Sequence, residues 1–172
     1  MIRSVQPNDA AAICAIYNHY VLHTTISFEE EAVSTEAMAQ RIAAATLPWL
    51  VLEEQGEPLG YAYASPWRVR AAYRHAVEIS VYLAPGATGR RLGQTLCRHL
   101  LHALRQRDVH CVIGGIAQPN PASVALHQRL GFRKVAHFEQ VGWKHGRWVD
   151  VGYWQLILTE EDDLAAIVEG GQ

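Results

Sequence analysis

Glu78 is the single charged residue in an otherwise largely apolar run, Val77-Glu78-Ile79-Ser80-Val81-Tyr82-Leu83. A short run rich in β-branched and aromatic residues predicts a buried strand. A carboxylate there is costly unless it has a task or a partner. It is either an acid–base group or half of a buried ion pair with an arginine. The strand must stop at Ala84-Pro85, because proline cannot continue a ladder. Next comes a small and basic stretch, Thr88-Gly89-Arg90-Arg91-Leu92-Gly93, and then Leu92, Leu96, Leu100, Leu101 and Leu104 at helical spacing. A helix therefore starts near Arg91 or Leu92. Strand, glycine-containing loop and helix N-terminus together make an anion site, with converging N–H groups and a positive dipole end. Phosphate is its natural occupant, and Arg90 and Arg91 add charge.

A second chemical stretch precedes the strand: Pro66-Trp67-Arg68-Val69-Arg70-Ala71-Ala72-Tyr73-Arg74-His75. It has no clear period and reads as a solvated segment or a binding loop; its lead into Glu78 favours binding. Guanidinium forks suit oxyanions, with Arg74 and Arg68 best placed in sequence and Arg70 third. Phe28, Trp67 and Tyr73 could wall a pocket, although each aromatic taken singly is more often core. Lys144, Arg147 and Asp150 fit either a partner contact or the mouth of a site. Among nine histidines none forms an HxH or HExxH pair with a nearby carboxylate, so no metal site is expected.

The rest of the chain must position these groups. Its 172 residues suffice for one domain with a sizeable core, and 49% hydrophobic with 19% charged residues is ordinary for a globular protein. A net charge of -2 argues against a nucleic-acid footprint, which needs a basic face. No apolar run approaches membrane-spanning length, the N-terminus does not read as a signal peptide, and three scattered cysteines suit a reducing cytoplasm. Ile2 to Val5 reads as a strand. Asn8 or Asp9 caps a helix carrying Ile13, Ile16, Tyr17 and Tyr20, and Ser34 caps a second carrying Met38, Ile42 and Ala45. His23 to Glu31 is a connection that could line a pocket. Trp49 to Glu53 and Leu59 to Ser65 form a hairpin about the turn Gln55-Gly56-Glu57-Pro58. Past the central strand and its helix come a strand over Val109 to Ile116, a helix from Asn120-Pro121 to Gly131, and strands over Lys134 to Val141 and Trp148 to Leu158 around Lys144-His145-Gly146-Arg147. This order gives one α/β domain, a mixed sheet with helices on both faces.

Two stretches carry a family resemblance. Thr88-Gly89-Arg90-Arg91-Leu92-Gly93 resembles the Q/R-x-x-G-x-G/A signature of the GNAT superfamily of N-acetyltransferases, with Thr88 in place of Gln/Arg and Arg91 in place of the middle glycine. Asn120-Pro121-Ala122-Ser123-Val124-Ala125-Leu126-His127-Gln128-Arg129-Leu130-Gly131-Phe132 is similar to the second motif, N-x-x-S/A-x-x-L-Y/H-x-x-x-G-F. Alone, it reads equally as a plain amphipathic helix. The runs around Glu78 and from Gly142 to Gln155 look like the phosphinothricin and methionine sulfone acetyltransferase branch. The likeness runs from about Ile2 to Leu158. It implies the GNAT acyl-CoA N-acyltransferase fold over 1–158, with 159–172 as a short helix or frayed tail.

The resemblance implies acetyl transfer from acetyl-CoA to the α-amine of phosphinothricin, methionine sulfone or methionine sulfoximine. It implies that Gly89, Arg90, Arg91, Leu92, Gly93 and Gln94 hold the pyrophosphate. Val81, Tyr82 and Leu83 would pair the pantetheine, and Asn120 and Ser123 its arm. A backbone N–H near Val81 or Tyr82 would serve the oxyanion. An amine attacks only as a free base, so Glu78 is the candidate general base, directly or through a water. His127 stands where many relatives carry a tyrosine; it would protonate the departing sulfur or merely hydrogen-bond cofactor or helix. Acceptor contacts are expected from Phe28, Trp67, Arg68, Val69, Arg70, Tyr73, Arg74, Glu78, Ile79 and Ser80. A homodimer is implied by the resemblance only. Two rival readings remain. One is an acetyltransferase for a protein N-terminus, polyamine or aminoglycoside, disfavoured by the arginine-rich loop. The other is a non-catalytic acetyl-CoA sensor, disfavoured by the retained Glu78.

Overall fold

The structure, a computed structural model of the chain, describes residues 1–159. Its strands are β1 (Ile2–Ser4), β2 (Trp49–Glu54), β3 (Glu57–Pro66), β4 (Ala76–Leu83), β5 (Cys111–Ala117), β6 (Arg133–Lys144) and β7 (Arg147–Ile157). Its α-helices are α1 (Ala10–His23), α2 (Thr35–Ala43), α3 (Leu92–Arg105) and α4 (Pro121–Arg129). The seven strands form one sheet in the order β1-β2-β3-β4-β5-β7-β6, antiparallel throughout except for the parallel pair β4 and β5. The expected tail helix falls almost wholly outside the described residues.

Strand alternation divides the core in two. Val77 and Ile79 join Leu96, Leu100, Leu101 and Leu104 of α3 on one face, with Val124 and Leu130 from the α4 region packed alongside. Glu78, Ser80 and Tyr82 take the other face. There Tyr82 meets Tyr17 and Tyr20 of α1 and Tyr61 of β3 at ring separations of 5.2 to 5.4 Å.

Several expected boundaries shift. The β2–β3 turn is only Gln55-Gly56, both at positive φ (53° and 83°), so Pro58 lies inside β3 beside an irregularity in β2. His145-Gly146 (52° and 71°) likewise closes β6 and β7, leaving Lys144 and Arg147 within strands. Ser34 Oγ accepts the Ala37 N–H at 3.1 Å, as expected for a cap. Asp9 does not cap α1. Its carboxylate takes Arg3 at 2.7 and 2.9 Å and the Gln6 N–H at 2.7 Å, while Arg3 also reaches Glu53 at 2.7 Å. The Arg3 guanidinium holds the Asp9 carboxyl below the usual range and ties β1 and β2 to the start of α1.

The feature that makes a site is a fork. β4 and β5 pair only over Ala76–Glu78 with Cys111–Ile113. Beyond that, Ile79 to Leu83 keep only β3, and Gly114 to Ala117 keep only β7. Among the described residues, no helix is long and apolar enough to cross a membrane.

Candidate active site

The gap of the fork is lined by Ile79 to Tyr82, Gly115 to Ala117, Asn120, Ser123, His127 and Ile26. The Ala84 N–H donates to the Leu59 carbonyl and the Trp67 N–H to the Ala76 carbonyl, so the even-numbered residues of β4 spend their backbone groups on β3. Alternation then turns the odd-numbered N–H groups toward β5: Ile79 serves the last rung to Ile113, and Val81 and Leu83 face the gap. The side chains expected there do less: Ile79 is buried in the core, and Tyr82 is half-buried among tyrosines with its phenol pushed well up by desolvation. The Tyr20 hydroxyl claims the Leu83 carbonyl at 2.5 Å. Ser80 meets the Tyr63 hydroxyl across the sheet.

Glu78 sits at the apex, where the strands part. Burial raises its pKa above the ordinary carboxylate value; Arg68 and a backbone hydrogen bond from Gly115 oppose the shift. A Cβ on Gly115 would stand 2.8 Å from Glu78 Oε1 and 3.1 Å from the Tyr153 ring. A Cβ on neighbouring Gly114, on the opposite face, would stand 2.4 Å from His127 Nε2. The two glycines therefore clear both faces of β5 for the two candidate catalytic side chains. Both lie inside the strand.

His127 is buried, with its ring edge-on to Phe132. Its Nδ1 lies 2.8 Å from the Ser123 carbonyl, which can only accept, so Nδ1 carries the proton and Nε2 presents a lone pair. Nε2 has no partner. Burial lowers the imidazole pKa, so the neutral ring dominates at neutral pH. That arrangement offers an acceptor, not the proton a departing thiolate would need. Asn120 caps α4 through Oδ1 to the Ser123 N–H at 3.1 Å, which leaves its amide NH₂ for a ligand.

At the other end of the gap, the first turn of α3 has Arg91 as N-cap in the left-handed region, φ 61°, after Gly89 at φ 78°. This is the conformation that a glycine adopts at no steric cost, and Arg91 holds it as an exposed residue. Among the described residues, the N–H groups of Gly89 through Gly93 make no hydrogen bond to another backbone group, whereas the Gln94 N–H is spent on the Arg91 carbonyl. Arg90 is engaged on the surface: its Nη2 donates to both oxygens of Glu54 at 2.7 and 2.8 Å.

The arginine loop assembles differently from its sequence. Arg68 lies over the Trp67 ring, 4.7 Å from its centroid, and is the loop arginine that acts on Glu78. Val69, Arg70, Tyr73 and Arg74 are exposed, and Arg74 bonds the Ala71 carbonyl of its own turn. Arg74, expected as a clamp, stands at the end of a single turn of 3-10 helix at Ala71–Tyr73. Phe28 packs against Gly142 of β6. Trp67 and Arg68 instead close a cavity of about 200 Å³ with Ile113, Phe138, Tyr153 and Gln155. Tyr153 and Phe138 were not legible as site residues. Tyr153 reaches Glu78 because it pairs with Gly115, a register that joins residues 38 apart. The glycine doublet was the available signal.

A family model described as "Acetyltransferase (GNAT) domain" matches residues 2–152. The L-methionine sulfoximine/L-methionine sulfone acetyltransferase of Salmonella typhimurium is 41% identical over 162 residues, covering 92% of this chain and 95% of that protein. The phosphinothricin N-acetyltransferase of Streptomyces coelicolor is 38% identical, covering 91% and 95%. A Salmonella typhimurium acetyltransferase solved with its cofactor acetyl-CoA superimposes with a TM-score of 0.91 at 40% identity, covering 93% of this chain and 94% of that one. With a family model over nearly its whole length and relatives this similar end to end, the chain belongs to the GNAT family of N-acetyltransferases.

Proposed function

We propose that residues 1–158 transfer the acetyl group of acetyl-CoA to the α-amine of a small amino-acid-like acceptor of the kind its relatives are named for: phosphinothricin, methionine sulfoximine or methionine sulfone. The observation that carries this reading is the β4–β5 fork, with Glu78 at its apex and unspent N–H groups along one wall. The residues fit the cofactor. The N–H groups of Gly89 to Gly93 at the start of α3 suit a diphosphate, and the Asn120 amide and the unpartnered His127 Nε2 offer a donor and an acceptor beside the gap. Acetyl-CoA, when bound, supplies an activated thioester. The Val81 N–H points where it can hold a carbonyl oxygen without reorganisation. Glu78 takes the proton of the acceptor ammonium, and Arg68 holds the acceptor carboxylate beside the aromatic cavity.

The test is thiol release from acetyl-CoA with these three compounds, a polyamine and a peptide N-terminus, paired with calorimetry of CoA. Turnover of the amino-acid analogues in preference to the others is expected. Turnover confined to the polyamine or peptide overturns the acceptor assignment. CoA binding without any turnover makes the chain a sensor, and failure to bind at millimolar CoA removes the cofactor site.

The same reading includes a homodimer through the β6–β7 arm. β6 is a sheet edge, and Phe138 (52% exposed), Trp143 (53%) and Trp148 (59%) stand open on the arm. An uncovered apolar edge invites a partner strand or aggregation, and a second copy covers it symmetrically. Light scattering should give twice the chain mass, falling to the monomer in Trp143→Lys; a monomeric wild type at micromolar concentration excludes it. The reading also places the protein in the cytoplasm, where Cys14, Cys97 and Cys111 stay thiols, as cell fractionation would check.

A further inference from the structure

Lys144 is among the most deeply buried side chains, 1% exposed, and its ammonium donates to the Ser27 carbonyl. A cation is an expensive way to fill a core, so its contact with this backbone needs a reason. Ser27 belongs to the connection between α1 and α2, and the β6–β7 tip grips that connection at three successive points. Arg147 Nη2 reaches Thr25 Oγ1 at 3.3 Å, Lys144 holds Ser27, and the Phe28 ring lies so close to Gly142 that a Cβ there would stand 2.4 Å from it. From its own side the connection is held by Tyr17, whose hydroxyl bonds Ser27 Oγ at 2.8 Å and also bonds Glu29, and by Arg41 paired with Glu29 at 2.6 Å. Between Thr25 and Ser27 stands Ile26, 39% exposed, which forms part of the lining of the fork with Ser80, Val81, Tyr82 and Gly115. The grip therefore ends on a residue that faces the reaction gap.

We propose that Lys144 is a positioning residue for acetyl transfer: by fixing Ser27 it sets Ile26 as a wall of the gap where acceptor and thioester meet. The clasp also explains why a lysine stands in the strand rather than an apolar residue. A hydrophobic side chain would fill the space but leave the Ser27 carbonyl buried without a donor and the segment free to shift. Glu29 and Glu30 supply the negative charge that keeps the buried ammonium tolerable. The proposal rests on the reading of the fork as the acetyl-transfer site.

The experiment compares Lys144→Met, close in size and without charge, with Lys144→Arg, Ile26→Ala and the double variant Lys144→Met/Ile26→Ala. It reads hydrogen exchange over residues 24–33, acceptor KM, kcat and CoA affinity. In Lys144→Met, exchange over 24–33 should accelerate about tenfold or more and acceptor KM should rise about tenfold, with CoA affinity within about twofold of wild type. Lys144→Arg should restore part of both effects. Ile26→Ala should raise KM by itself, and Lys144→Met should add less than about twofold on that background, because the lysine acts through Ile26. Unchanged exchange in a folded Lys144→Met protein overturns the clasp. Fast exchange with unchanged KM, or fully additive effects in the double variant, overturns the positioning role. If Lys144→Met does not fold, the exposed Arg147→Ala carries the same comparison through Thr25, and unchanged exchange and KM there overturn the proposal. Faster exchange in a protein whose wild type acetylates no amine retires the acetyl-transfer reading and the proposal that rests on it, leaving the clasp as a structural contact alone.

Discussion

Glu78→Gln lowers kcat at neutral pH by about 10²–10⁴-fold, the usual worth of a general base. The variant keeps shape and removes the proton acceptor. The pH profile carries the sharper signature. Burial raises the Glu78 pKa, so in the wild type the rate climbs with pH as the carboxylate ionises through that raised value. Glu78→Gln loses this limb, and its residual rate climbs only as the acceptor amine deprotonates in solution, so the deficit narrows at high pH. Stability moves the other way. A carboxyl with a folded pKa above its unfolded one binds its proton more tightly when folded. Its ionisation therefore costs stability, which falls as pH rises from the ordinary carboxylate pKa through the raised one. Above that window Glu78→Gln should melt no lower than the wild type. A structural carboxylate predicts the opposite: a lower melting temperature with activity lost through misfolding. The decisive measurement is a pH–rate profile beside a thermal melt. A stable, CoA-binding variant with near-wild-type neutral turnover takes Glu78 out of the chemistry.

Arg68→Ala raises acceptor KM by about 10- to 100-fold, since a charge-assisted contact is worth roughly 1.5–3 kcal/mol. Arg74→Ala leaves KM within about twofold. Sequence placement alone favours Arg74; the fold reverses that order, because Arg74 is turned onto the Ala71 carbonyl while Arg68 rests on Trp67 and faces Glu78. A second readout separates a clamp from a packing effect. Arg68 draws the Glu78 pKa down, so removing it lets that pKa rise, and the acidic limb of the rate profile should move to higher pH. Equal KM values for the two variants on all three analogues would leave the acceptor carboxylate without its assigned partner. A KM increase with no shift of the limb would place Arg68 away from Glu78 in solution.

Much of this was legible in local sequence because local forces decide it. Val77 to Leu83 reads as a strand and Leu92 to Leu104 as a helix from periodicity alone, and both formed where expected. Ser34 could be named as a cap because a cap acts within three residues. The succession of strand, Gly89 and helix start was equally readable, since the three are contiguous.

What the chain could not disclose locally depends on register and on charges meeting across the fold. Asp9 reads as a cap but turns to Arg3, because a guanidinium shared with Glu53 offers it more than the helix N–H groups do. Arg90 reads as a phosphate ligand but meets Glu54 on a distant hairpin. Tyr153 reads as a strand residue, and only its pairing opposite Gly115 brings it to Glu78. Lys144 reads as part of a turn and is a buried cation holding a segment 117 residues earlier. Sequence by itself determined the elements, the loop that leads into α3 and the lone carboxylate in β4. The tertiary structure decided which arginine faces that carboxylate, and which histidine nitrogen is open. It also placed the fork, because β4 and β5 separate just past Glu78 and no local propensity specifies where two strands part.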